Sequence, residues 1–139
     1  MRIFLDSSAL AKKYIQEKGS EKIQSLLANP LKHSIYVSVI CLPEIFSALN
    51  RIKREQFIQP HQYSQIKENI LNDFKQFSIC NLTPIIFSKT IVLLEQHSLR
   101  TIDAIHLACA LEIKPDIFVS ADLKQITAAK KSKIKILRV

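Results

Sequence analysis

The chain has 139 residues, of which 47% are hydrophobic, and this size and composition suit a single domain, 1–139, with one full core. Its 20 Lys and Arg against 12 Asp and Glu give a formal charge of +8, which favours binding to polyanions. The sequence contains no run of 18 apolar residues and no signal-peptide pattern, so we expect a cytoplasmic protein with no membrane association.

The first predicted element is a short apolar strand over residues 1–5 that stops at Asp6. A helix is predicted to open directly after it, at Ser7. In a parallel sheet every such handover from strand to helix lies at the same edge, where ligands bind. Asp6 is therefore a candidate site residue. The alternative is that Asp6 only caps the helix, because an Asp side chain accepts hydrogen bonds from free first-turn amides.

Strand-like and helix-like segments alternate along the rest of the chain. The further segments rich in β-branched and aromatic residues are 35–39, 79–83, 117–120 and 134–137. Helical patterns fill the connections between them. This alternation predicts an α/β fold with a mostly parallel five-stranded sheet that is covered by helices on both faces.

Glycine and proline mark several of the predicted helix boundaries. Gly19 is the only glycine, and Ser20 after it is predicted to cap a second helix, which reaches about Ala28 and closes at Asn29-Pro30. Pro43 suits the first position of the third helix. These boundaries leave each connection long enough for a crossover between parallel strands.

Three acids follow predicted strands closely: Asp6, Glu44 and Asp122. Because parallel strands end at one edge of the sheet, these acids are candidates for one shared cleft. The residues alone do not place Asp103, since two predicted helices separate it from the third strand. Helix capping remains the alternative for each acid taken singly.

Carboxylates that crowd one cleft repel one another, so a cation belongs to the hypothesis. The candidate ligands are oxygens, which favours Mg²⁺ or Mn²⁺ over zinc. Such an ion activates water and stabilises charge on a phosphodiester. The three cysteines lie far apart among apolar residues, which favours core thiols over disulfides or zinc ligands: Cys41, Cys80 and Cys109.

Four hydroxyl side chains each lie close in the sequence to one of the four acids. They could orient a carboxylate or a bound water, or they could cap helices: Ser7, Ser8, Thr101 and Ser120. Thr101 is predicted to cap the helix that contains Asp103. His106, one turn beyond Asp103, is either a general base or proton relay, or a packed helix residue.

Basic residues concentrate at the end of the chain. Six of the 20 fall in the last 16 positions: Lys124, Lys130, Lys131, Lys133, Lys135 and Arg138. This segment is a candidate phosphate-facing surface. The alternative is a solvated final helix and strand, because charged exposed faces are common.

Four segments together resemble the PIN domain. They are residues 3–10, Ser38 with 43–49, residues 100–108, and residues 118–122. The most specific is Thr-x-Asp-Ala-x-His-Leu-Ala, which begins at Thr101. Within that family, the small size and basic charge look like the VapC type of toxin ribonuclease, and the resemblance extends from residue 1 to the end.

The resemblance implies a three-layer α/β/α PIN-like fold in which Asp6, Glu44, Asp103 and Asp122 line one Mg²⁺- or Mn²⁺-binding pocket. It also implies how the Asp103 helix is oriented. Family members cleave RNA, commonly form homodimers, and are neutralised by a small antitoxin. We therefore expect a metal-dependent endoribonuclease that is the toxin of a toxin-antitoxin pair.

The main alternative is a catalytically inactive module of the same fold that binds nucleic acid or another protein. The presence of all four acids argues against it. Two other α/β classes fail on single positions. A phosphoryl-accepting receiver domain needs an Asp after the third strand, which here ends Leu82-Thr83-Pro84, and a haloacid-dehalogenase-like phosphatase needs a second Asp where Ser8 stands.

Overall fold

The computed structural model describes residues 1–29 and 31–139, and within them the chain forms an α/β protein of five strands and seven helices. The strands are β1 (Arg2–Leu5), β2 (Ser34–Ser38), β3 (Ser78–Cys80), β4 (Ile117–Ser120) and β5 (Ile136–Arg138). The helices are α1 (Ser7–Tyr14), α2 (Ser20–Leu27), α3 (Cys41–Arg54), α4 (Pro60–Phe74), α5 (Pro84–Gln96), α6 (Thr101–Ile113) and α7 (Leu123–Lys131).

The five strands form one sheet in the order β3-β2-β1-β4-β5, and every neighbouring pair is parallel. The chain builds outward from β1 through β2 to β3 and then returns to place β4 on the other side of β1. The strand order therefore reverses between β1 and β4. In open α/β sheets, ligands bind outside the carboxyl ends of the strands at such a reversal.

Helices cover both faces of the sheet, because the strands are apolar on both sides. Ile3 and Leu5 pack into a core cluster with residues of α1, α2, α3 and α4. Phe4 points to the opposite face, into a cluster with residues of α5, α6 and α7. Phe4 pairs in register with Phe118 of β4, and their ring centroids are 5.9 Å apart. The predicted three-layer α/β/α architecture is confirmed.

The first helix boundaries follow the sequence pattern closely. Helix α1 begins at Ser7 as predicted. The residue that precedes α2 at its cap position is Gly19, with φ of 96°, so Ser20 is the first helical residue and not the predicted cap. The predicted closure of this helix at Asn29-Pro30 includes Pro30, which lies outside the described residues.

Strand β5 begins at Ile136, two residues after its predicted start at residue 134, because the Ile134 amide donates to the Ala129 carbonyl of α7 at 3.2 Å.

Two other predicted boundaries differ from the structure for local reasons. Strand β3 ends at Cys80, short of the predicted residue 83, because Thr83 caps α5 and its hydroxyl accepts from the Ile86 amide at 3.4 Å. Helix α3 begins at Cys41, so Pro43 is its third residue and not its first. Proline fits there because first-turn amides have no partner within the helix.

The three cysteines are buried free thiols, as predicted. Burial raises the pKa of Cys41 and of Cys109 to about 12, so both thiols stay protonated at neutral pH. No helix in residues 1–29 and 31–139 combines the length and the apolar character that crossing a membrane requires.

Gly19 occupies a backbone position that tolerates a side chain poorly. Its φ of 96° lies in the left-handed region, and an added Cβ would come within 2.7 Å of the Val139 backbone carbon. We expect Gly19→Ala to lower the free energy of unfolding by about 1–2 kcal/mol, measured by urea denaturation. Lys18→Ala, at an exposed neighbouring position, is the control and should change it little. Equal stability of Gly19→Ala and wild type would contradict this account.

Candidate active site

A cleft of about 320 Å³ opens at the carboxyl edge of the sheet, beside the reversal between β1 and β4. Helices α1, α3, α6 and α7 supply its walls. Its polar lining residues are Ser7, Ser8, Glu44, Arg51, Arg100, Asp103, His106, Asp122 and Gln125. Three of the four predicted site acids therefore face one cleft, and the fourth, Asp6, lies buried behind it.

A larger cavity, of about 620 Å³, lies beside the starts of β2 and β3. Asp73 is the one carboxylate among its described lining residues, and it is already engaged by Lys13 and by the Tyr14 hydroxyl. The cavity therefore lacks the clustered acids that the sequence predicts, and the smaller cleft is the better candidate site despite its size.

Asp6 is completely buried at the end of β1. Its carboxylate accepts from the Ala9 amide at 2.8 Å, from the Ser8 hydroxyl at 2.8 and 2.9 Å, and from the Ser120 hydroxyl at 2.6 Å. Burial raises the pKa of Asp6, although the charge of His106 and these hydrogen bonds oppose the rise. Asp6 therefore caps α1, since the Ala9 bond closes the first turn of that helix, and this role leaves open whether Asp6 also belongs to the site.

Glu44 lies in the first turn of α3 and joins that helix to α6 and α1. His106 Nε2 and the Ser7 hydroxyl both donate to Glu44 Oε2, and Ser7 Oγ lies 2.9 Å from His106 Nε2. Burial alone would raise the pKa of Glu44, but the hydrogen bonds from His106 and Ser7 and the positive charge of Arg100 outweigh it and lower the pKa. Glu44 is therefore a carboxylate held in its ionised form.

Asp103 lies in the first turn of α6, on the cleft side of that helix. Arg100 Nε donates to its Oδ2 at 3.0 Å, and Gln125 Nε2 donates to its Oδ1 at 3.1 Å. The Arg100 side chain is 83% exposed, whereas that of Asp103 is 10% exposed. The structure thus settles where Asp103 lies, which the residues alone left open.

Asp122 follows β4 and caps α7, since its Oδ1 accepts from the Gln125 amide at 2.8 Å. Its own amide donates to Ser120 Oγ at 3.0 Å. Ser120 therefore links Asp122 to Asp6.

Thr101 does not cap α6 as the sequence predicts. Arg100 occupies the cap position of α6, Thr101 is the first helical residue, and its side chain is exposed. Thr101 makes no side-chain hydrogen bond to any residue of the described part of the chain. The predicted cap is therefore wrong. The physical reason is that the chain enters α6 with Arg100 extended, which directs the arginine toward Asp103 one turn later.

Three lining residues were not predicted: Arg51, Arg100 and Gln125. Arg100 and Gln125 each stand three positions from a site acid, the spacing that places two side chains on one face of a helix. That spacing was the available signal for both residues. Arg51 lies seven residues beyond Glu44, again on one helix face, but its sequence neighbours suggested only a basic helix end.

The donors around the cleft suit a hard divalent cation. They are carboxylate oxygens and the amide oxygen of Gln125, which is buried and has no hydrogen-bond partner in the described residues. In the structure, each of the four carboxylates accepts a hydrogen bond from another residue of the chain. No group of three His, Cys, Asp or Glu side chains in residues 1–29 and 31–139 is arranged as a metal site.

Comparison with known proteins identifies the fold. The family model of the PIN domain matches residues 3–131. Among solved structures, the chain is similar to VapBC2 from Rickettsia felis bound to a promoter DNA fragment, with TM-score 0.70, 14% identity, and 100% and 99% of the two chains covered. It is also similar to FitAcB from Neisseria gonorrhoeae, with TM-score 0.74, 12% identity, and 98% and 96% covered.

A third similar structure is VapC20 from Mycobacterium tuberculosis, described as a sarcin-ricin loop cleaving toxin. It has TM-score 0.69 and 17% identity, with 91% of this chain and 94% of that chain covered. At such identities the likeness is one of fold. A search of curated protein sequences finds no match.

The imidazole of His106 is 1% exposed and supports Glu44 from inside α6. We expect His106→Ala to lower the free energy of unfolding by about 2–4 kcal/mol, because it leaves a cavity and removes a donor to a carboxylate. His106→Gln, which retains a donor at a similar reach, should lose less. Urea denaturation of the two variants measures the difference, and equal losses would show that the donor contributes nothing.

Proposed function

This chain belongs to the PIN domain family, and on that premise we propose that it is a metal-dependent endoribonuclease that hydrolyses RNA phosphodiester bonds. The observation that carries the proposal is the cleft at the strand-order reversal. There Glu44, Asp103 and Asp122 face a common space, with Asp6 behind them. Carboxylates from four separate segments, gathered at the ligand-binding edge of a parallel sheet, are what phosphodiester hydrolysis with a bound cation requires.

The proposed ligands of Mg²⁺ or Mn²⁺ are Asp6, Glu44, Asp103 and Asp122. When bound, the ion activates water as a nucleophile and stabilises negative charge on the phosphodiester. The chain itself supplies the positions of these carboxylates. Ser120 holds Asp6 by a hydrogen bond of 2.6 Å, and Ser7 donates to Glu44.

The proposed partners are RNA as substrate, a small antitoxin protein, and a second copy of the chain in a homodimer. VapC20 from Mycobacterium tuberculosis is named as a toxin that cleaves the sarcin-ricin loop. Two further similar structures are named as a toxin-antitoxin complex from Klebsiella pneumoniae and as VapBC-5 from Mycobacterium tuberculosis, a member of the VapBC family of toxin-antitoxin systems. These names support a role as the toxin of a toxin-antitoxin pair. The formal charge of +8 supports an anionic substrate.

The competing proposal is a module that binds nucleic acid or protein without cleaving. The caps formed by Asp6 and Asp122 are compatible with it, because a cap needs no ligand. The positions of Glu44 and Asp103 favour the nuclease. Neither carboxylate caps a helix, and both line the cleft.

Removal of one cleft carboxylate should abolish cleavage. Purified protein is incubated with total cellular RNA in Mg²⁺, in Mn²⁺ and in EDTA. We expect discrete metal-dependent cuts that fall by more than about 100-fold in Glu44→Gln and in Asp103→Asn, since even residues that only support metal ligands cost about 10- to 100-fold. Glu112→Gln is the matched control, because Glu112 forms an exposed ion pair with Lys89 away from the cleft.

The circular dichroism spectrum and thermal midpoint of each variant verify that it is folded. Full cleavage by both cleft variants would refute the carboxylate mechanism. Intact RNA in every lane, from folded wild-type protein, would favour the non-cleaving module.

The chemistry of the cut ends tests the mechanism independently. If activated water attacks phosphorus, no 2′-hydroxyl takes part, and the products carry a 5′-phosphate and a 3′-hydroxyl. A labelled RNA oligonucleotide and end-specific enzymes measure this. A substrate with a 2′-deoxy residue at the cut site should still be cleaved. A 2′,3′-cyclic phosphate would contradict the proposal, because it forms when the 2′-hydroxyl is the nucleophile.

A further inference from the structure

The loop between α3 and α4 presents an aromatic ring to solvent. Phe57 is 75% exposed, the most exposed aromatic side chain in residues 1–29 and 31–139. The backbone around it is fixed. Gln56 has a left-handed φ of 61°, the Phe57 amide donates to the Ile52 carbonyl at 3.0 Å, and Ile52 and Ile58 on either side pack against the core. The ring is therefore held outward by an anchored turn.

Helix α3 connects this ring to the candidate active site. Glu44, Ala48 and Arg51 all line the cleft, and their spacing of four and three residues places them along one face of the helix. Arg54 lies three residues further along the same face. From Glu44 to Arg51 the helix rises by about 10 Å, which matches about three steps of a stacked nucleic-acid strand.

The charge along this path is positive. Between Glu44 and Glu68 the only acid is Glu55, whereas Arg51, Lys53 and Arg54 are all exposed. Neither arginine has a carboxylate within 4.0 Å in the described part of the chain. Lys53 instead lies over the Tyr63 ring, 4.2 Å from its centroid.

Compensation of the helix dipole explains why basic residues end α3. It explains neither the position of Arg51 in the cleft wall nor the outward ring of Phe57. An exposed ring beside unpaired arginines is the combination that binds single-stranded nucleic acid, because bases stack on the ring and the arginines contact phosphates.

We propose that α3 and its following turn form a track for single-stranded RNA that leads out of the cleft, with Arg51 on a phosphate near the cut site and Phe57 stacked on a base further along. This inference rests on the proposed function for its direction, since the strand is placed with its cut phosphodiester near Glu44. The track would make unpaired RNA the preferred substrate. A duplex cannot offer an unstacked base to Phe57.

Binding is measured on the intact chain in EDTA, where the RNA is not cut. The probe is a fluorescent, unstructured RNA of about ten nucleotides, followed by anisotropy between about 50 and 200 mM salt. Phe57→Ala should weaken binding by about tenfold and leave the salt dependence unchanged, because it removes stacking and no charge. Arg51→Gln should reduce the slope of log K against log salt by about 0.7, the value for one phosphate contact on a single strand.

Matched controls separate the track from general effects. Phe87→Ala removes the other exposed phenylalanine, on α5, and Lys89→Gln removes a cation of the same helix that pairs with Glu112 and lies outside both basic segments. Both controls should bind as wild type. Phe57→Trp, which keeps a stacking surface, should restore binding, and a duplex of the same length should bind with no dependence on residue 57.

Unchanged affinity in Phe57→Ala together with an unchanged salt slope in Arg51→Gln would overturn the proposal. Equal losses in Phe57→Ala and Phe87→Ala would overturn it as well. The outcome is independent of catalysis. If binding needs both Phe57 and Arg51 but no RNA is cut in Mg²⁺ or Mn²⁺, the track is supported and the nuclease proposal is refuted. If RNA is cut and neither binding nor cleavage depends on these residues, the nuclease proposal is supported and the track is refuted.

Discussion

The candidate site depends on the hydrogen bonds that hold the buried carboxylate of Asp6. Burying a carboxyl group costs free energy unless hydrogen bonds replace those that it made with water. Ala9, Ser8 and Ser120 supply those bonds, and Ser8 also accepts from the Ala121 amide at 3.0 Å. The end of β1, the start of α1 and the end of β4 are thereby fixed to one another. The carboxyl edge of the sheet keeps its shape at the strand-order reversal for this reason.

Much of this edge could be predicted from the sequence, because Asp6, Glu44 and Asp122 each follow a predicted strand within a few residues. Asp103 could not be placed in this way. Residues 103–110 of α6 are buried without interruption, so the helix has no polar stripe that would indicate its direction. Its orientation depends on packing against α5 and the sheet, which are contacts that the local spacing of apolar residues does not predict. The family resemblance supplied what the pattern did not.

Helix capping and a place at the site are not exclusive alternatives at this edge. Parallel strands deliver each following helix with its N-terminus toward the cleft, so a residue that caps the helix also stands at the ligand-binding edge. Asp6 and Asp122 both cap helices at this edge, Asp122 in the cleft lining and Asp6 behind it. The sequence could not separate the two roles for these acids. Glu44 and Asp103 are more informative, because their partners come from side chains and not from first-turn amides.

The partners of these two carboxylates differ in how readily they are exchanged. The Arg100 side chain is 83% exposed, and an ion pair with so exposed a partner contributes less than about 1 kcal/mol. His106 is almost fully buried beneath Glu44. If either residue lost its partner there, the other would have an unpaired polar group that water could not reach, and this makes the pair costly to break. A cation bound as proposed would compete with an exposed ion pair and the Gln125 hydrogen bond at Asp103, and with a buried pair at Glu44. Asp103 would lose the weaker charged partner, whereas Glu44 would leave the buried His106 without one.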